Sequence, residues 1–294
     1  MKAGKIKVGL VQTTVEDDKA RHVQKTLERV REAAARGAKL ICLQELFASP
    51  YFCQVEDAAL FDLAEPIPGP TSEAVSAVAK ELGVSIVVPL FEKRAPGVYH
   101  NSLIVAGPDG KSLGLYRKMH IPDDPQFYEK YYFAPGDLGF KTFQTPEINL
   151  GTLICWDQWY PEAARLTALR GAEALVYPTA IGWLPADKEE FGAAQLSAWQ
   201  TIQRSHAIAN GVFVIAVNRV GHEGPKDGGI QFWGHSFVAD PFGVVLAEAS
   251  RTEEEILIVA CDRRHQETVR RHWPFLRDRR IDAYGGITRR FGNE

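Results

Sequence analysis

The sequence is poor in cysteine: four in 294 residues, at positions 42, 53, 155 and 261, with no Cys-x-x-Cys pair. That excludes a disulfide framework and a structural zinc site made of paired thiolates. It fits a reduced, intracellular compartment. No stretch approaches the ~20 apolar residues that a bilayer-spanning helix needs. The apolar run after Met1-Lys2-Ala3-Gly4-Lys5 is short and gives way to Glu16-Asp17-Asp18. It is too short for a signal-peptide core, so a cytoplasmic protein with no membrane contact is expected. Charge of one sign is also missing. Thirty-four basic and 37 acidic residues give a net charge of −3, so a basic surface for nucleic acid is not expected.

Several catalytic signatures are absent as well. There is no Gly-x-Gly-x-x-Gly and no P-loop, so dinucleotide and nucleotide chemistry lack their phosphate cradle. There is no His-Glu-x-x-His and no Gly-x-Ser-x-Gly elbow. The glycines between Gly221 and Gly229 precede no phosphate-binding helix and read as a flexible loop. His120 and His235 are candidates for function or for ordinary structural histidines. No linker-like segment or internal repeat divides the chain.

What is present is an ordinary globular composition, 45% hydrophobic and 24% charged. Short β-branched runs alternate with helical patterns. Strands are expected at 6–12, 39–44, 85–91, 101–106, 112–116, 148–155, 174–178, 213–218, 235–240 and 254–261. Helices are expected at 17–36, 71–82, 161–170 and 188–209, from apolar spacing, Pro161 at a helix start and glycine stops. Gly107-Pro108-Asp109-Gly110 marks a hairpin, and 120–139 reads as a long loop, a common place for function. The pattern is α/β with mixed sheets. It is expected to form one domain across 1–294, with 263–294 as a C-terminal tail.

Three residues share a setting. Glu45, Lys118 and Cys155 each follow a predicted strand and precede an irregular segment, the sheet edge where α/β sites form. A cysteine between a strand and a helix start meets backbone N–H groups and a helix dipole, both of which favour the nucleophilic thiolate. A carboxylate such as Glu45 at the mouth of an apolar strand is driven by burial toward general-base behaviour. A cation such as Lys118 can stabilise an oxyanion. Taken singly, each has an ordinary alternative: a core cysteine, a surface glutamate, a solvated lysine.

Taken together with their surroundings, they carry a resemblance. Leu43-Gln44-Glu45-Leu46-Phe47, Tyr116-Arg117-Lys118 with His120-Ile121-Pro122, and Ile154-Cys155-Trp156-Asp157-Gln158-Trp159-Tyr160-Pro161-Glu162 resemble the nitrilase superfamily of carbon–nitrogen hydrolases. The resemblance runs from Val8 to Pro274. Within the superfamily, Tyr128 to Phe133, Pro135-Gly136-Asp137, Tyr177 to Gly182 and Arg277 to Arg280 resemble its N-carbamoylputrescine amidase branch.

The resemblance implies a four-layer α-β-β-α sandwich and covalent hydrolysis of a non-peptide C–N bond, with no metal or organic cofactor. Cys155 is the implied nucleophile and Glu45 the implied base. Lys118 and the Trp156 N–H are the implied oxyanion donors, and Glu129 is a second glutamate that orients Lys118 or the substrate. Tyr51, Trp156, Trp183 and Asp123 are expected to contact a small-molecule substrate. One departure is visible: Leu184 stands where the branch carries an acidic residue after Ile-Gly. Trp183, Asp187, Glu189 and Glu190 are the candidates to meet a substrate ammonium instead. Other N-carbamoyl or ω-amide substrates and a non-catalytic scaffold are the alternatives. Seven arginines from Arg263 to Arg280 are preceded by Asp262 and interrupted by Glu267 and Asp278. They are expected to form a salt-bridged tail at a homo-oligomer contact rather than a nucleic-acid patch.

Overall fold

The computed structural model describes residues 4–292; the last two positions of the expected tail, 293 and 294, lie outside them. In chain order the strands are β1 (Lys5–Gln12), β2 (Leu40–Leu43), β3 (Ser85–Ala95), β4 (Val98–Ala106), β5 (Ser112–Arg117), β6 (Lys141–Gln144), β7 (Asn149–Thr152), β8 (Ala174–Thr179), β9 (Gly182–Trp183), β10 (Phe213–Asn218), β11 (Val220–Glu223), β12 (Ile230–Trp233), β13 (Phe237–Ala239), β14 (Val245–Glu248) and β15 (Glu255–Asp262). The α-helices are α1 (Lys19–Ala35), α2 (Pro70–Leu82), α3 (Glu129–Tyr132), α4 (Pro161–Leu169), α5 (Pro185–Asn210) and α6 (Arg263–His272).

Two six-stranded sheets, ordered β15-β1-β2-β3-β4-β5 and β14-β13-β10-β8-β7-β6, are accompanied by a separate small sheet β11-β12-β9. Period-two alternation sets the layers, because successive strand residues point to opposite faces. In β1, β2, β3 and β4, Val8, Leu10, Leu40, Cys42, Val87, Leu103 and Val105 face the core shared with the second sheet. The alternate residues Val11, Ile41, Leu43, Ile86, Val88 and Ile104 meet Leu27, Val30 and Ala33 of α1 and Val75, Val78 and Ala79 of α2. Ala163, Ala164, Trp199 and Ala207 of α4 and α5 extend the shared core beyond the second sheet. The result is the expected α-β-β-α sandwich.

The differences from expectation are local and have physical causes. The strand expected at 148–155 ends at Thr152, because Asp157 takes the Ile154 N–H at 2.9 Å and turns the chain. The stretch read as a flexible loop, 221–229, begins inside β11, which pairs with β12 as a hairpin. β6, β9 and β14 are short strands that the hydrophobic pattern does not announce. The 120–139 loop contains α3. The tail opens with α6, held to the body where Arg263 donates to Glu173 and Gln266 to the Glu173 carbonyl. Arg271–Glu267, Arg277–Asp278 and Arg280–Asp282 are ion pairs, so much of the arginine stretch is internally neutralised.

Candidate active site

β2 delivers Glu45 two residues past its end, and β5 delivers Lys118 one residue past its own. β2 runs parallel to β3, and β4 is antiparallel to both β3 and β5. β2 and β5 therefore point the same way and bring the two side chains to one sheet edge. Lys118 Nζ lies 2.8 Å from Glu45 Oε1 and 2.6 Å from Glu129 Oε2, and all three side chains are buried. Asn101 donates to Glu45 Oε1 at 2.7 Å, and the Tyr51 hydroxyl donates to Glu129 Oε1 at 2.7 Å. Glu45 Oε2 is buried without a hydrogen-bond partner among the described residues.

Two carboxylates share one ammonium here, away from water, where charge is costly unless paired. Burial and the nearby Glu45 push the Glu129 carboxyl up to about 7, against the pull of Lys118. Despite its burial, Lys118 is held well above the usual lysine range by Glu129 and Glu45, so it stays charged.

Cys155 opens a five-residue 3-10 turn, Cys155–Trp159, and sits at φ +40. That left-handed conformation costs roughly 1–3 kcal/mol for a residue with a side chain, so neighbouring bonds must hold it. Asp157 does much of this. Its carboxylate accepts from the Ile154 N–H, the Tyr116 hydroxyl, the His120 N–H and His120 Nδ1. His120 stacks on Tyr160 with ring centroids 3.7 Å apart. Gln158 accepts from Trp199 Nε1 at 2.9 Å and anchors the turn to α5.

The expected thiolate-favouring setting is not what the fold provides. The helix α4 begins at Pro161, six residues after Cys155 and beyond the turn. Burial, then the negative charges of Glu45 and Glu129, push the Cys155 thiol well above its usual range. Lys118 and the Ala180 N–H oppose that push. A thiol raised in this way favours its protonated form, so a nucleophilic role for it calls for proton removal rather than a standing thiolate.

Cys155, Glu129 and Trp156 line a cavity of ≈ 450 Å³, together with Asp124, Phe127, Trp159, Ala180, Leu184, Asp187, Gln195 and Trp233. Of the four expected contact residues, Trp156 is on this wall. Tyr51 stands behind Glu129, with its hydroxyl spent on that carboxylate. Trp183 is buried, its indole N–H bonded to the Gly192 carbonyl and its ring facing Lys188 Nζ at 5.2 Å. Asp123 is exposed, while its neighbours Pro122 and Asp124 form the wall. Among the four candidates for a substrate ammonium, Asp187 in the first turn of α5 is the one on the wall. His235 pairs with Glu248 away from the cavity. Among the described residues, no cluster of three or more His, Cys, Asp or Glu is arranged to hold a metal ion, and no helix is long and apolar enough to cross a membrane.

Three contributors were not singled out from the sequence. Asn101 lies inside an apolar strand, where a buried amide is a signal in itself. Ala180 acts through its backbone, which no side-chain pattern reveals. Arg219, fully buried, donates to the carbonyls of Glu45 and Leu46 at 2.7 and 3.2 Å.

Comparison with known proteins agrees with this architecture. Residues 7–271 match the carbon-nitrogen hydrolase family. The chain is 44% identical to an N-carbamoylputrescine amidase of Solanum lycopersicum, across 95% of this chain and 93% of that protein. It is 38% identical to a citrullinase of Francisella tularensis, across 97% of this chain and 99% of that one. A crystal structure of a carbon-nitrogen hydrolase from Helicobacter pylori G27 superposes with a TM-score of 0.94 at 49% identity, covering 98% of this chain and 100% of that one. The buried cysteine, the two glutamates around one lysine and the double sandwich thus stand in a known lineage: the chain belongs to the carbon-nitrogen hydrolase family of the nitrilase superfamily, and is an amidase of that family.

Proposed function

We propose that the protein hydrolyses N-carbamoylputrescine to putrescine, carbon dioxide and ammonia. The observation that carries the substrate is the charge of the cavity. Its wall holds Asp124 and Asp187, beside a Glu129 already paired with Lys118, and, among the described lining residues, no lysine, arginine or histidine. A substrate with a terminal ammonium finds a carboxylate partner there, whereas a terminal carboxylate finds repulsion. This favours N-carbamoylputrescine over N-carbamoyl-β-amino acids and ω-amides that end in a carboxylate. The similarity to the tomato enzyme supports the same reading.

In this reading Cys155 Sγ attacks the carbamoyl carbon while Glu45, through Oε2, takes the thiol proton. Lys118 Nζ and the Trp156 N–H hold the oxyanion of the tetrahedral intermediate. Glu45 returns the proton to the leaving nitrogen, ammonia departs, and an S-carbamoyl thioester bearing the aminobutyl group remains. Glu45 then activates water for attack on that carbonyl. The released N-carboxyputrescine loses carbon dioxide to give putrescine. Glu129 keeps Lys118 in place, and Asp187 meets the far ammonium.

A single domain, a cytoplasmic location and assembly into a homo-oligomer belong to the same proposal. Four free, buried cysteines support a reducing compartment. The exposure of Ile281, Ile287 and Phe291, at 75%, 64% and 66%, supports a subunit contact formed by the tail. The substrate assignment is tested by ammonia release from N-carbamoylputrescine, citrulline, N-carbamoyl-β-alanine and an ω-amide. Preference for the first supports it, and preference for a carboxylate-tailed compound overturns it.

A further inference from the structure

Arg219 and Glu223 form an ion pair that the mechanism above does not use. Arg219 follows β10, Glu223 ends β11, and Arg219 Nη1 lies 2.8 and 3.0 Å from the two Glu223 oxygens. The two terminal nitrogens also reach backbone, while Nε is buried without a partner among the described residues. Nη2 donates to the Glu45 and Leu46 carbonyls, and Nη1 reaches the Ser49 carbonyl at 3.5 Å. These carbonyls belong to the turn that carries Glu45, where Leu46 sits at φ +48. That conformation is held against its cost by donors outside the turn.

Glu223 leads to the other carboxylate. Its Oε2 accepts from the Tyr51 N–H at 2.6 Å, and the Tyr51 hydroxyl in turn donates to Glu129. The Arg219 guanidinium also lies over the rings of Tyr51 and Phe232, at 5.8 and 5.2 Å. One buried ion pair therefore fixes the backbone beneath Glu45 and the phenol that holds Glu129. A planar fork with five donors can serve two carbonyls and a carboxylate at once, which a lysine ammonium cannot reproduce.

We infer that Arg219 and Glu223 are positioning residues that set Glu45 and Glu129 jointly against Lys118 and Cys155. The inference rests on the reading of Glu45 as the base for Cys155. In Arg219→Lys the charge stays but the fork is lost, and Glu45 is released from its aim. Displacement of a reacting group by about 1 Å costs on the order of 10²-fold in rate. Glu223→Gln keeps the shape and an acceptor for the Tyr51 N–H, but removes the charge that aims the guanidinium.

The test measures iodoacetamide alkylation of Cys155 against pH in wild type, Arg219→Lys and Glu223→Gln, with the adduct located by mass spectrometry and folding checked by circular dichroism. No substrate is involved, so a wrong substrate assignment leaves this readout intact and shows itself separately as absent wild-type turnover. The expected result is alkylation at neutral pH slowed by about 10²-fold in Arg219→Lys, and by a smaller factor in Glu223→Gln. The rates converge with wild type at alkaline pH, where hydroxide replaces the base. Turnover should show the same loss in kcat with KM little changed. Wild-type alkylation rates and pH profiles in both folded variants overturn the inference. If Arg219→Lys does not fold, a wild-type profile in folded Glu223→Gln overturns it alone.

Discussion

The Tyr116 hydroxyl donates to Asp157 at 2.7 Å, and this bond joins the strand leading to Lys118 to the turn carrying Cys155. The two halves of the sandwich each supply part of the site, and the bond crosses between them. Tyr116→Phe removes a donor to a fully buried carboxylate. Hydrogen bonds to charged groups contribute about 1.5–3 kcal/mol. The variant is expected to lose that much stability in denaturant unfolding, with kcat reduced more than KM is raised.

The acidic cavity wall predicts a specific effect at Asp187. Removing one charge-assisted contact of about 1.5–3 kcal/mol corresponds to roughly ten- to a hundredfold in binding. Asp187→Asn is expected to raise KM for N-carbamoylputrescine by that factor. KM for N-carbamoylbutylamine, which lacks the terminal ammonium, should be unchanged. Steady-state kinetics on the two compounds check both statements.

The carboxylate pair around Lys118 predicts a pH limb. Glu129, pushed up to about 7, is protonated in the acidic arm and loses its proton as pH rises. Such a titration belongs to the coupled cluster rather than to one residue. The kcat/KM profile is expected to rise through about pH 7, and Glu129→Gln should displace or abolish that limb. A profile flat from pH 6 to 8 in wild type contradicts it.

His22, fully buried on α1, predicts acid lability. Burial and the Arg219 charge lower its imidazole to about 4 from the usual 6.5. The folded state thus binds fewer protons than the unfolded state between those values, so stability falls as pH drops from 6.5 toward 4. The full effect of 2.5 pH units at 1.36 kcal/mol each is about 3 kcal/mol. His22→Gln is expected to flatten this part of the stability–pH curve, measured by urea unfolding.

The sequence shows some layers of this structure better than others. The long amphipathic helices α1 and α2 and the apolar strands β1, β3, β8 and β10 are visible because each buries a whole face. The order and edge positions of Glu45, Lys118 and Cys155 are visible because each comes soon after a strand that the sequence pattern announces, β2, β5 and β7. Short strands such as β9 and β14 are fixed by tertiary pairing rather than by local pattern. Apolar Leu153 and Ile154 continue the strand pattern to Cys155, but the strand stops at Thr152 because Asp157 captures the Ile154 N–H. The state of the thiol is not legible locally either. Proximity to a helix start points to a thiolate, but the balance is set by burial and two carboxylates that arrive from elsewhere in the chain. Trp183 illustrates the same limit, because its ring and indole N–H are already committed to Lys188 and Gly192.

The central claim, a cysteine-dependent hydrolysis of N-carbamoylputrescine, is tested most directly by following ammonia and putrescine together in wild type and Cys155→Ala. The account predicts equal amounts of both products from wild type and neither above background from the folded variant. Ammonia release that survives in Cys155→Ala would contradict the mechanism. A wild-type enzyme inert toward N-carbamoylputrescine but active on N-carbamoyl-β-alanine would contradict the substrate.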